Sequence, residues 1–502
     1  MSYCFIFKSL KFFLKMLLTR TFQSAGITFL NRSFTKSAQR LDYNKRGQYE
    51  NPFSRTIRVL KGDVVNTFKN IKKGPSALIR EVPRQVDIII IGGGAIGSSI
   101  AYWLKEKANA TSFDVAVIDK DLSFSKCTTS LSVGGLRQQF SLPENIEMSL
   151  FGYEFIRNLK QRFGPNADVA FTPHGYLVLA SEEGVEQLIE NSKLQNELGA
   201  INVILQKPEL KDRFPWMNVD DVELGCLGLE KEGWFDPWSL LHLLKQGAEE
   251  KMTHYIQGEV IDFGFRERHD LIIEGVHQST IHQPDSVVVK MADGTENTIQ
   301  FSLCVIAAGP DSGQVSRYLK IGEGDGILSV SLPIERRKRY VFVFDCEKNP
   351  PGLNTPMTID HTGAYFRREG LGGKFIAGIS PEPQNEPETT NLDVNFNYFD
   401  DHLWPTLANR VPAFNAVKVR GAWSGFYEYN NFDENGIVGP HPFYSNIYIA
   451  SGFSGHGIQQ APAIGRAVAE MILDGKFQTI DLTRFGFDRL LLEKPLMESA
   501  II

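Results

Sequence analysis

Apolar and polar positions along the chain follow two periodicities, and their order outlines a fold. Val86-Asp87-Ile88-Ile89-Ile90-Ile91 is an apolar run of strand length, rich in β-branched residues, as in a strand buried on both faces. Glycines follow at once, and the pattern from Ser98 to Leu104 is helical. Phe113 to Ile118 is a second apolar strand, ending at Asp119. Beyond it the spacing predicts a helix over Leu142 to Phe163, a strand over Gly175 to Ala180 and an amphipathic helix over Gly184 to Leu198. Asp236 at a cap and Pro237 at a first helical position open a helix over Ser239 to Lys251. Strands are predicted over Ile256 to Val260, Ser286 to Lys290 and Phe301 to Ile306, the last running into Ala307-Ala308-Gly309. Leu332 to Gly425 is strand-rich and interrupted by prolines. Asn446 to Ala450 then leads through Ser451-Gly452-Phe453-Ser454-Gly455-His456-Gly457 into a helix from about Gln459 to Leu473.

The first of these joints carries chemistry. Gly92-Gly93-Gly94-Ala95-Ile96-Gly97 is a G-x-G-x-x-G turn between strand and helix, and Asp119 stands 22 positions after Gly97. Gly92 makes the turn, Gly94 lets backbone approach a pyrophosphate, and Gly97 lets the helix pack on the strand. The helix N-terminus offers free N–H groups to phosphates, and Asp119 can accept from both ribose hydroxyls. The uncharged span from Ile88 to Leu104 is long enough to cross a bilayer, but its four glycines and two serines argue against a membrane helix. Dinucleotide-type segments at the front, middle and far end imply a discontinuous cofactor domain. That interleaving points to FAD rather than a nicotinamide cofactor. The expected fold is α/β (α+β): a glutathione-reductase-type Rossmann FAD domain over 85–165, 236–322 and 424–495, with an inserted antiparallel-sheet substrate domain over 166–235 and 323–423.

Composition changes the picture only at the ends. The 502 residues are 42% hydrophobic and 22% charged, with net charge −6, which gives no reason to expect nucleic-acid binding. Lys8, Lys11, Lys15, Arg20 and Arg32 precede the first acid, Asp42, in the manner of a mitochondrial presequence. Arg32-Ser33-Phe34-Thr35 suits a processing site, so residues 1–34 are expected to be removed, taking the net charge from −6 to −11. Residues 35–84 are polar and of mixed charge, an N-terminal arm or linker. The five cysteines are scattered without a C-x-x-C pair, which excludes a zinc ribbon or disulfide framework and fits a reducing interior. No metal ligand set is expected.

The glycine turn, Ala307-Ala308-Gly309 and Gly452 to Gly457 resemble the D-amino-acid oxidase/sarcosine oxidase-like flavoproteins. Leu131 to Gly135, Gln138 to Asn145, Glu232 to Trp238 and Gly363 to Gly370 are similar to one mitochondrial member of that family. The resemblance runs from about Asp87 to the C-terminus. It implies FAD binding, residence at the matrix side of the inner membrane without a transmembrane span, and a role in assembling respiratory complex I, whose subunits or assembly intermediates would be partners. Residue by residue, it assigns Gly92, Gly94, Gly97 and Asp119 to pyrophosphate and ribose, Val260 to adenine through its backbone, Gly309 to a second pyrophosphate loop, and Gly455, His456 and Gly457 to the turn beside the flavin. It implies too that relatives attach FAD through a histidine where Ser132 stands, or through a cysteine near Gly425 to Tyr427. No cysteine follows Cys346, so FAD is expected to be non-covalent. A carboxylate-binding lysine of those oxidases is replaced by Gln459, which puts an amino-acid substrate in question.

For the chemistry, the helix after His456 is expected to aim the N–H groups of Gly457 to Gln460 at negative charge on reduced flavin. Pro462 is placed in its first turn, where a missing donor costs nothing. His456 is a candidate donor to substrate or flavin. In the basic run Glu335 to Tyr340, Lys338 or Arg339 is expected to turn toward the flavin. Tyr365 and Arg367 share one strand face and are expected to meet substrate, as is Arg137 less directly. Trp234, Trp238, Trp404 and Trp423 read as core or interface. Two functions are compatible with this pattern: a complex I assembly factor with a flavin site, and an amine or amino-acid oxidase or dehydrogenase passing hydride to FAD, with a small amine or amino acid as substrate.

Overall fold

The computed structural model describes residues 82–499 apart from 109 and 271–280. The presequence expected over 1–34 lies outside the described residues, as does the 35–84 arm except for its last positions. The described residues belong to the compact unit that begins at Val82.

Two sheets organise this unit. In the first, a parallel core runs in the order His254–Arg268, Val115–Asp119, Gln85–Ile91, Glu296–Ile306, Ile447–Ser451, with Ile437–Pro440 antiparallel at the far edge. The apolar run at 88–91 is explained by its central place. Ile88 and Ile90 enter the core on one face, under the Ala95–Lys107 and Gly457–Asp474 helices, while Ile89 and Ile91 enter the core on the other. The two helices are in close contact. A Cβ on Gly465 would lie 2.2 Å from Ser99 Oγ.

The opposite face is covered by an antiparallel meander that short-range periodicity understates. The strands expected over Ile256 to Val260 and Ser286 to Lys290 extend over His254–Arg268 and Ile281–Met291. In the first of them, the opening residues pair in the parallel core and the rest with Ile281–Met291, so a single strand serves two layers. The helix expected over Leu142 to Phe163 is broken at Asn158 into Pro143–Arg157 and Leu159–Phe163.

The second sheet has eight strands in the order Val417–Asn430, Ile334–Cys346, Lys374–Gly378, Tyr365–Arg368, Met357–Ile359, Tyr176–Ala180, Leu224–Glu230, Ile201–Gln206. Every pairing is antiparallel except Met357–Ile359 with Tyr176–Ala180. Phe342, Phe344, Phe366, Phe375 and Phe414 form its aromatic core. The Val417–Asn430 strand runs through residue 424, where the sequence pattern places a domain boundary. The architecture is the mixed α/β one expected, a discontinuous dinucleotide-type domain with a largely antiparallel second sheet. No helix of the described residues is long and apolar enough to cross a membrane.

Candidate cofactor and substrate cavity

A cavity of about 1000 Å³ begins at the Gly92–Gly97 turn and ends against the second sheet. At the turn the glycines are required for different reasons. Gly92 has φ +102°, and a Cβ there would sit 2.2 Å from the carbonyl oxygen of Ala307. A Cβ on Gly97 would sit 1.9 Å from the carbonyl oxygen of Gly92, so Gly97 is the residue that seats the helix on its strand. Gly97 does not line the cavity, whereas Gly92 and Gly94 do.

The walls of this end fit a dinucleotide. The Ala95–Lys107 helix starts at Gly94, which has no side chain to cap it, and without an acid in its first turn, so the positive end of its dipole faces the cavity. Thr129 Oγ1 accepts from Ala95 N at 3.0 Å, and Asp119 Oδ2 accepts from Gly93 N at 2.7 Å. Asp119 Oδ1 accepts from Asp121 N at 2.9 Å, which leaves lone pairs on both oxygens for ribose hydroxyls. Burial raises the Asp119 carboxyl above its ordinary value, against these two backbone hydrogen bonds. Val260 lines the cavity between the two layers served by its strand, and Gly309 lines it with φ +54°.

Midway, the 128–135 turn is stitched to the second sheet. Thr128 Oγ1 donates to Phe426 O at 2.7 Å and Trp423 Nε1 donates to Leu131 O at 2.9 Å. Opposite lies the 452–457 turn, with Gly455 at φ +92° and His456 as N-cap of the Gly457–Asp474 helix. That helix too has no side-chain cap and no acid in its first turn. It starts at Gly457, so Pro462 is inside the helix rather than in its first turn. Pro462 therefore leaves the carbonyl of Ile458 without its intrahelical donor, at a residue that lines the cavity. Burial, with Arg137 nearby, pushes His456 down to about 3, so its imidazole is neutral at physiological pH. Its ring meets Phe140 edge-on at 5.0 Å.

The far chamber is walled by Tyr176, Tyr365, Arg137, Arg339 and Met357. Of the basic run, Arg337 and Arg339 face the chamber. Lys338 does not. Its Nζ donates to Asn391 Oδ1 at 3.2 Å in a separate small pocket. Of that pair, Arg339 is the one that lines the cavity. Arg367 is also corrected. It shares a strand with Tyr365, but its guanidinium ion-pairs with Glu369 at 2.6 Å and donates to Val133 O at 3.3 Å, behind the cavity wall. Gln459 lines the cavity, but its Oε1 accepts from Arg137 N at 2.7 Å, so this amide positions an arginine.

Tyr176 and Glu386 are missed by sequence reasoning. Tyr176 is the first residue of an ordinary apolar strand, and Glu386 lies in a proline-containing loop, so neither has a local signature. Glu232 is a third, buried behind the chamber. Its carboxyl accepts from Gln138 N at 2.7 Å and Gln139 Nε2 at 2.9 Å and so shapes the turn that presents Arg137. Burial pushes Glu232 up to about 7. Because the folded value lies above the unfolded one, its contribution is complete at low pH and is lost as pH rises through about 7. In Glu232→Gln that fall in thermal stability is expected to disappear, which melting curves from mildly acid to mildly alkaline pH will show. A variant as pH-sensitive as the parent would refute the assignment.

A family model described as FAD dependent oxidoreductase matches residues 87–471. Over 91% of its length the chain is 44% identical to the FAD-dependent oxidoreductase domain-containing protein 1 homolog of Drosophila melanogaster, 93% of which is covered. It is 45% identical to FAD-dependent oxidoreductase domain-containing protein 1 of Xenopus laevis, over 84% of this chain and 85% of that protein. Among solved structures, L-proline dehydrogenase from P. horikoshii superposes with a TM-score of 0.67 at 24% identity, over 83% of this chain and all of that one. The chain belongs to the FAD dependent oxidoreductase family, and the cavity that runs from Gly92 to Arg339 is fitted to FAD as its cofactor.

Proposed function

We propose that this protein is an oxidoreductase of the amine and amino-acid class that holds FAD without a covalent bond. The observation that carries the reading is the continuity of one cavity, from the helix start at Gly94 to a polar chamber at Tyr176, Tyr365 and Arg137. When bound, FAD supplies the acceptor for a hydride from a C–H bond beside nitrogen. The N–H groups at the start of the Gly457–Asp474 helix hold negative charge at that end of the cavity, as an oxyanion hole does. Neutral His456 offers a hydrogen bond there without adding charge. Ser132 lines the cavity, and since the resemblance sets it at the position of an FAD-linked histidine, a hydroxyl there leaves the cofactor free.

Anaerobic titration of the purified protein with small amines, amino acids and 2-hydroxy acids tests the reading. Bleaching of the visible flavin band by one amine-containing compound is the expected result. A flavin that only 2-hydroxy acids reduce, or that none reduces, would count against it.

A second reading has support of its own. The segments Leu131 to Gly135, Gln138 to Asn145, Glu232 to Trp238 and Gly363 to Gly370 carry the similarity to a mitochondrial member linked to complex I assembly, and the basic start of the chain suits import. On this reading the protein sits at the matrix side of the inner membrane and engages complex I subunits or assembly intermediates. Cells lacking it are then expected to lose assembled complex I and to regain it with a Tyr365→Phe, Arg137→Gln double variant. Normal complex I in the deficient cells would sink the assembly role. Rescue by the parent but not the double variant would tie assembly to turnover.

A further inference from the structure

Two arginines of the chamber wall, Arg137 and Arg339, differ in how their charge is met: Arg137 has no paired carboxylate among the described residues, and the one that pairs with Arg339 sits on a loop. Arg137 lines the chamber with only 9% of its surface exposed and its guanidinium 4.7 Å from the Phe140 ring. Among the described residues no carboxylate lies within ion-pair distance of it, although every other arginine facing the cavity has one. Glu232 is in electrostatic reach of Arg137 but spends its oxygens on Gln138 and Gln139. A buried guanidinium without a paired anion is costly, and a ligand's anionic group relieves that cost. Arg339 stands elsewhere on the chamber wall. The ladder holds it opposite Gly425, and its guanidinium lies 4.7 Å from the Tyr427 ring.

The partner of Arg339 is Glu386, whose carboxylate takes both of its terminal nitrogens, at 2.7 and 2.9 Å, and also Arg337 at 3.1 Å. Glu386 belongs to no sheet. It follows the short Pro383–Asn385 turn in the loop after the Lys374–Gly378 strand. The backbone of Arg339 is thus held by the sheet, while the carboxylate that pairs with it is carried on a segment that sheet pairing does not hold. Two tyrosines connect the poles: Tyr176 is in electrostatic reach of Arg137 and of Tyr365, and Tyr365 of Arg339.

We propose that the chamber is built for a doubly anionic substrate, an amine with a carboxylate for Arg137 and a second anionic group for Arg339 that displaces Glu386. The inference rests on the oxidoreductase reading of the same site and narrows its substrate class. Glu386 is then a placeholder for the second anion. Its displacement exchanges one charge-assisted bidentate pair for another, so affinity comes from the difference between them and from Arg137.

The test compares ligands that differ by one charge. Succinate and glutarate are titrated by calorimetry into the purified protein at low salt, beside their monoamides succinamate and glutaramate, while the flavin spectrum reports whether the ligand sits at the cofactor. At least one diacid is expected to bind about tenfold more tightly than its monoamide and to perturb the flavin band. Arg339→Gln abolishes that preference, and Glu386→Gln strengthens diacid binding by removing the internal competitor. Equal affinity of diacid and monoamide, no binding by either, or a preference that survives Arg339→Gln would overturn the inference. A protein that lacks FAD yet shows the preference by calorimetry would instead fault the cofactor reading.

Discussion

Gly94→Ala is expected to yield a folded chain that has lost its FAD. Gly94 has φ −61° and ψ −172°, a backbone any residue adopts, and a Cβ there would lie 3.3 Å from Thr129 Oγ1 and 3.5 Å from Cys127 Sγ. Packing within the chain therefore asks little of this position. The methyl group would stand at the mouth of the helix, where pyrophosphate must meet the Ala95–Lys107 N–H groups. Displacing even two charge-assisted hydrogen bonds there should weaken FAD binding about a hundredfold, roughly 3 kcal/mol. The neighbouring glycines predict a contrast. At Gly92 and Gly97 the added carbon meets backbone at 2.2 and 1.9 Å, so alanine there disrupts the turn itself. Fluorescence titration with FAD, beside circular dichroism, separates the two behaviours. Gly94→Ala with parental affinity would mean that the cofactor does not approach this backbone.

The second large effect lies behind the substrate chamber. Arg410 is 1% exposed and joins Asp360 at 2.6 Å and Asp221 at 2.8 Å. Asp360 also accepts from Thr362 N and Oγ1, which closes the turn that delivers Tyr365 to the cavity. Arg410→Ala strands a buried carboxylate, and losing one partner of such a pair costs about 3–5 kcal/mol. Chemical denaturation is expected to show a loss of stability of that size, with the chamber more affected than the cofactor end. Unchanged stability would show that Asp360 is not held by Arg410.

The two halves of the cavity are not equally legible in the sequence. The cofactor end is written locally: Gly92, Gly94, Gly97 and Asp119 belong to one strand–helix–strand unit, where spacing alone conveys geometry. Gly309 and the 455–457 turn read the same way, as glycines directly after buried strands. The chamber is assembled from positions with no common period: Arg137, Tyr176, Arg339, Tyr365 and His456 come from five separate segments. Whether Lys338 or Arg339 reaches the cavity depends on a sheet whose neighbouring strand, Val417–Asn430, is far away in the chain, and it is Arg339 that lines the cavity. Alternation puts Tyr365 and Arg367 on one face, but it does not foresee that a long side chain with Glu369 beside it ends behind the wall. Pro462 departs from its expected place for a simpler reason, since helix starts inferred from pattern shift when glycine precedes them.

Whether FAD lies in this cavity without a covalent bond is decided by acid precipitation of the freshly purified protein. One FAD per chain is expected, all of it in the supernatant and none on the pelleted polypeptide. Flavin retained in the pellet, or a chain that neither carries nor takes up FAD, would refute the assignment.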